Sequence, residues 1–143
     1  MKNNIRGLKC SLDHYDLVRL LKYLSQKEWR FFAPWCLLED HRIITDAIDF
    51  LNDFSLFEKH NIWELELQCI PDCTYPSKVQ TYHDFCNMPC ICYLLYYDCG
   101  YLELYIKEND DFQQLRECLG NIGVQDLSLI TDETDTRTEF SVG

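Results

Sequence analysis

Residues 90–97, Cys-Ile-Cys-Tyr-Leu-Leu-Tyr-Tyr, are apolar at every position. After Asp98-Cys99-Gly100 comes residues 101–107, where Leu102, Leu104 and Ile106 alternate with Tyr101, Glu103, Tyr105 and Lys107. An eight-residue apolar run is far shorter than the roughly 20 residues of a membrane-spanning helix, and its aromatic and aliphatic side chains suit a strand covered on both faces. An Asp/Gly turn followed by a period of two makes the pair a hairpin. A chain built around such a hairpin must supply cover for both faces of a sheet.

The rest of the chain supplies further strands and the helices to cover them. Residues 63–69 alternate strictly as Trp-Glu-Leu-Glu-Leu-Gln-Cys and form a half-buried strand. Residues 5–12 suggest an opening strand, and residues 29–38 an aromatic-rich strand in which Pro34 marks an edge or a bulge. Asp13 stands at an N-cap position before Leu17, Leu20, Leu21 and Leu24, which recur at helical spacing, with Asp16 completing an acidic approximation to a capping box. Residues 45–54 predict a short amphipathic helix, with Ala47, Ile48, Leu51 and Phe54 on one side. Residues 81–85 predict one helical turn. A third helix is expected with Asp110 or Asp111 as its N-cap; it carries Phe112, Leu115, Cys118 and Leu119 inward and stops at Gly120 or Gly123. Residues 124–131 form a further strand that residues 138–142 are expected to join across the turn at 132–136. The expected fold is α+β: one domain over residues 1–143, with a mixed, mostly antiparallel sheet of about six strands packed by two or three helices.

Of the 143 residues, 47% are hydrophobic and 14% aromatic, enough for a core without covalent staples. The nine cysteines are odd in number and irregular in spacing, which is not a secreted disulfide framework. Free cysteine packs as a small hydrophobe, so most are expected as reduced core thiols. Residues 1–12 hold no apolar run of signal-peptide length, and a cytoplasmic location is expected.

The net charge of −11 is lopsided. Residues 1–60 are balanced, whereas residues 61–143 hold fifteen acids against Lys78, Lys107, Arg116 and Arg137. Such a field repels phosphate backbones and attracts basic surfaces, so direct nucleic-acid binding is excluded and a basic protein partner is expected. The candidate contacts are Asp110, Asp111, Asp132, Glu133, Asp135 and Arg137.

Chemistry-bearing motifs are weak. Cys73, His83, Cys86 and Cys90 have the ligand types for zinc, but several neighbouring thiols fall on strands and should point into packed sheet. Cys86 beside His83 is the one local nucleophile–base pair, facing one way only if the segment is helical. The segment 131–138, Thr-Asp-Glu-Thr-Asp-Thr-Arg-Thr, lacks the Gly and distal Glu of a calcium loop and reads as a solvated turn or a partner-binding loop. No phosphate-binding loop, nucleophile elbow or zinc-protease motif occurs. No cofactor is expected.

Four segments together carry a resemblance: Ile5-Arg6-Gly7, Thr81-Tyr82-His83-Asp84-Phe85, Tyr97-Asp98-Cys99-Gly100-Tyr101, and the closing Ile130-Thr131-Asp132-Glu133-Thr134-Asp135-Thr136-Arg137-Thr138. In that order they resemble a family of small uncharacterised proteins from Gram-positive bacteria, a domain of unknown function. The resemblance implies a bacterial or prophage origin and brings no activity with it. The expectation is a non-enzymatic acidic inhibitor or immunity-type protein that covers a basic surface of a toxin, nuclease or phage-defence effector. The alternative is a small cysteine- or zinc-dependent protein built on Cys73, His83, Cys86 and Cys90.

Overall fold

The structure, a computed structural model, describes residues 5–142. Its elements run β1 (Ile5–Ser11), α1 (His14–Ser25), β2 (Trp29–Leu38), β3 (Ile43–Ile48), a 3-10 turn (Phe50–Asn52), α2 (Ser55–Lys59), β4 (Ile62–Pro71), α3 (Tyr82–Asn87), β5 (Cys92–Tyr97), β6 (Tyr101–Ile106), α4 (Asn109–Ile122) and β7 (Gln125–Thr131). The strands form one sheet in the order β3-β2-β4-β5-β6-β1-β7, with every pair antiparallel. The fold is a single α+β domain. Among the described residues it has seven strands and four helices, one more of each than the upper expectation, and no parallel pair.

The expected hairpin is β5–β6, with Tyr97 opposite Tyr101. Its turn places Asp98 and Cys99 in the left-handed region, at φ 51° and 54°, a backbone whose twist suits a tight antiparallel connection. β1 lies between β6 and β7, so the first described strand is paired on both sides by late elements. That insertion is close: a Cβ on Gly7 would stand 1.8 Å from the Leu104 carbonyl oxygen. Only glycine fits there without forcing β1 and β6 apart.

α1 begins as expected. Asp13 Oδ1 accepts the Asp16 N–H at 2.8 Å, satisfying one of the free amides of the first turn. Leu17, Leu20, Leu21 and Leu24 are fully buried against the first face of the sheet, joined by Phe112, Leu115, Cys118 and Leu119 of α4. Burial of each leucine contributes about 1.5–3 kcal/mol. The opposing strand residues are Leu65, Leu67, Cys69, Leu94, Tyr96, Leu102 and Leu104. α4 starts at Asn109 with Glu108 in the N-cap position, two or three residues earlier than the expected cap, and ends at Gly123, whose φ of 84° makes it a left-handed C-terminal cap.

Two expectations change and a third is narrowed. Residues 45–54 are not a helix: β3 pairs with β2, and only Phe50–Asn52 make a helical turn. The β-branched run Ile43-Ile44-Thr45 suits an edge strand, and Asp46 and Asp49, at φ 50° and 56°, interrupt any helical path. Pro34 sits on an interior strand, where the register with β4 shifts between Phe32 and Trp35, so it marks a bulge rather than an edge. Residues 138–142 do not extend the sheet. After a turn in which the Asp135 N–H donates to the Thr131 carbonyl at 2.9 Å, the tail crosses back over the second face, and the Phe140 N–H donates to the Gln80 carbonyl at 2.8 Å. Residues 55–59, outside the expected elements, form α2.

Candidate functional site

The second face of the sheet carries Glu66, Gln68, Tyr93, Leu95, Tyr97, Glu103 and Tyr105, the alternate side chains of β4, β5 and β6. Its apolar part, Ile70, Val79, Phe85, Tyr93, Leu95, Tyr105 and Ile130, closes around Phe140 from the tail. The Phe140 ring lies 4.4 Å from the Tyr105 ring and 4.7 Å from the Tyr93 ring, centroid to centroid.

Charged groups fasten the tail around this aromatic plug. Arg137 grips Glu103 through two bonds, Nε to Oε1 at 3.2 Å and Nη2 to Oε2 at 2.9 Å. Tyr97 also donates its hydroxyl to Glu103, and the Tyr105 hydroxyl shares its one proton between Glu103 Oε1 at 3.3 Å and Asp135 Oδ1 at 3.0 Å. Burial pushes the Glu103 carboxyl up, but the bonds from Arg137, Tyr97 and Tyr105 outweigh it and hold the group below its usual range. Burial, followed by the bonded Glu103, pushes the Tyr97 hydroxyl up to about 12. Asp135, with a side chain only 3% exposed, accepts from Tyr105 Oη at 3.0 Å, the Arg137 N–H at 3.1 Å and Arg6 Nη1 at 3.2 Å. Arg6 reaches Asp132 Oδ1 at 2.7 Å and lies 4.0 Å above the Tyr82 ring. A second clasp joins Lys78 Nζ to Glu66 Oε1 at 2.7 Å and to the Phe140 carbonyl at 3.0 Å, while the Val142 N–H donates to Glu66 Oε2 at 3.1 Å.

The expected contact residues therefore divide. Asp135 and Arg137 are consumed in holding the tail, and Asp132 is shared between Arg6 and solvent. Glu133 is exposed on the turn. Asp110 and Asp111 lie in the first turn of α4, where the helix dipole favours negative charge. Burial raises the Asp111 carboxyl, Lys27 opposes the shift, and Glu108 and Asp110 add to it. Among the described residues, the exposed acids outside any ion pair are Asp13, Glu28, Asp46, Asp53, Asp72, Asp98, Glu108, Asp110, Glu117, Asp126, Glu133 and Glu139. The last six lie on α4 and its cap, on β7 and on the tail. The residues that sequence reasoning missed are Arg6, Glu66, Lys78 and Glu103. Glu66 and Glu103 did stand on the polar phase of their strands, but nothing local showed that this face would be covered.

The cysteine and zinc candidates do not converge. Cys90 is buried, with its thiol directed at the Cys92 carbonyl at 3.4 Å and the Cys69 carbonyl at 3.6 Å, and burial pushes that thiol up. Cys73 and Cys86 are exposed. α3 does put His83 and Cys86 three residues apart on a helix, but the His83 ring meets Asn87 Nδ2 at 3.4 Å. Among the described residues no group of three His, Cys, Asp or Glu side chains is arranged to hold a metal ion. None of the described helices is long and apolar enough to cross a membrane.

A family described as a protein of unknown function, DUF2691, matches residues 33–141. The uncharacterized protein YncE of Bacillus subtilis (strain 168) is 29% identical over 106 residues, covering 74% of this chain and 68% of that protein. No solved structure matches. The match agrees with the resemblance carried by the closing segment.

Proposed function

This chain belongs to the DUF2691 family, and from its own geometry we propose that it is a non-enzymatic acidic interaction protein. Its α4–β7–tail side would dock on a basic surface of a partner of the toxin, nuclease or defence-effector kind. One observation carries the reading: among the described residues, six of the twelve exposed acids outside ion pairs lie between residues 108 and 139, where Arg116 is the one exposed base and Arg137 is already held by Glu103. Acids held in this way create a field that steers a basic surface toward them. The docking residues are Asp110, Asp111, Glu133 and Asp132, and Asp135 and Arg137 hold the turn that presents them.

The test is an association-rate measurement against the protein encoded next to this chain's gene. The on-rate should fall steeply with salt, because charges farther apart than about 8–10 Å are screened near physiological ionic strength. Combining Asp110→Asn with Glu133→Gln should slow association several-fold and change folding stability by less than about 0.5 kcal/mol. A salt-independent on-rate that both substitutions leave unchanged would reduce the acids to a solvated face.

A further inference from the structure

A concavity of about 760 Å³ lies between α1, α2 and the start of β4. Val18, Phe57, Ile62 and Trp63 line its walls, and Tyr15, 72% exposed, stands among its lining residues. His14 braces it: Nε2 donates to the Phe57 carbonyl at 2.8 Å, and Nδ1 accepts the Ile62 N–H at 2.9 Å. One imidazole thereby ties α1 to both α2 and β4, and its two nitrogens are spent in doing so.

The charges around this concavity are matched. Lys22 pairs with Glu58 at 3.3 Å, Arg19 with Asp16 at 3.4 Å, and the Asp13 carboxylate is occupied as the cap of α1. A charged ligand would have to displace one of these partners. An uncharged one would not.

Tyr96 of β5 also lines the concavity, with none of its side chain open to solvent. Its hydroxyl is the single buried side-chain polar atom without a hydrogen-bond partner among the described residues. Leaving such a buried group without a partner is destabilising. Among the described residues every other buried side-chain hydroxyl, amide or carboxylate has a partner, including those of the closely packed Tyr93, Tyr97 and Tyr105. The exception stands at a concavity of ligand size, since pockets for small molecules span about 300–1,000 Å³ and combine apolar walls with a few polar groups.

We propose that this concavity is a binding site for a small, uncharged, planar aromatic compound whose carbonyl accepts a hydrogen bond from the Tyr96 hydroxyl once the side chains that close over it move aside. The rings of Trp63, Phe57 and Tyr15 take the aromatic body. The site is separate from the acidic surface and does not depend on that reading.

Acetophenone and its alkene isostere α-methylstyrene test it, because they share a shape and differ in the acceptor. In titrations followed by NMR on the isotope-labelled full chain, both probes should shift the Trp63 indole N–H and the amides of His14 and Ile62. Acetophenone should bind about tenfold more tightly, with an affinity near millimolar as its size allows. Tyr96→Phe should abolish that advantage while leaving α-methylstyrene binding and the unliganded melting temperature unchanged or raised. Tyr15→Ala should weaken both probes without unfolding the chain. Absence of shifts with either probe at millimolar concentration would overturn the proposal, as would equal affinity for the two. So would a Tyr96→Phe variant that is destabilised and still prefers acetophenone, because that outcome assigns the hydroxyl to an internal water.

Discussion

The two faces of the sheet share their strands and are closed by different physics. The first is covered by α1 and α4, whose aliphatic stripes need only to be apolar and of suitable volume. The second is covered by α3 and by a tail without regular structure, which holds its place through an aromatic plug and two sets of specific ionic bonds. An amphipathic helix satisfies its own backbone and asks the sheet for apolar area alone. An irregular segment must find side-chain and backbone partners individually, so its cover depends on particular residues.

Truncating each cover in turn tests that contrast most severely. Leu20→Ala should cost about 2–5 kcal/mol and Phe140→Ala about 3–5 kcal/mol. The two losses should differ in extent. Hydrogen exchange should show Leu20→Ala lowering protection throughout the sheet. Phe140→Ala should chiefly expose the tail and the amides near Val79 and Gln80, because irregular segments open sub-globally. Equal loss of protection in α1 and α4 would make the two faces one cooperative unit.

Next in size is the ionic clasp. Arg137→Ala leaves Glu103, 14% exposed at its side chain, without its main partner, and should cost about 2–3 kcal/mol at neutral pH. The carboxyl's folded value lies below its ordinary 4.5, so the folded state binds the proton less readily than the unfolded chain. The associated stability is fully present above pH 4.5 and disappears as the pH falls through the lowered value. Denaturant titrations should therefore show the gap between the two proteins narrowing below pH 4.5. A pH-independent gap would make Arg137 a packing residue rather than an ionic one.

The smallest effect concerns the thiols and leaves stability untouched. Cys10, Cys36, Cys69, Cys90, Cys92 and Cys118 are buried, and burial pushes the thiols of Cys10 and Cys36 up to about 12. A thiol reagent should modify Cys73, Cys86 and Cys99 rapidly in the native protein and all nine only in denaturant. Rapid native labelling of Cys10 or Cys118 would show the first face to be looser than its helices suggest.

Much of the first face was legible. The leucine spacing of α1, its Asp13 cap, the alternation along β4 and β6 and the hairpin turn are short-range patterns, and each appears where it was expected. The site was legible only as charge. Asp132, Asp135 and Arg137 look alike in a run of acids and threonines, yet two are drawn into the fold because Arg6 and Glu103 come to meet them. The segment forming β3 was misread because the apolar spacing of residues 45–54 fits a helix and an irregular edge strand equally, and pairing with β2 decided between them.

The sequence by itself determined the α+β class, the antiparallel hairpin, the helical stripe and the asymmetry of charge, because each is written in the spacing of neighbouring side chains. Tertiary structure alone decided that β1 lies between β6 and β7, that the tail covers the second face, and which acids remain outside ion pairs. Arg6 and Asp135 are 129 residues apart along the chain. No local period connects such residues; the folded sheet brings them within 3.2 Å, and only there does one carboxylate become structural while nearby Glu133 stays in water.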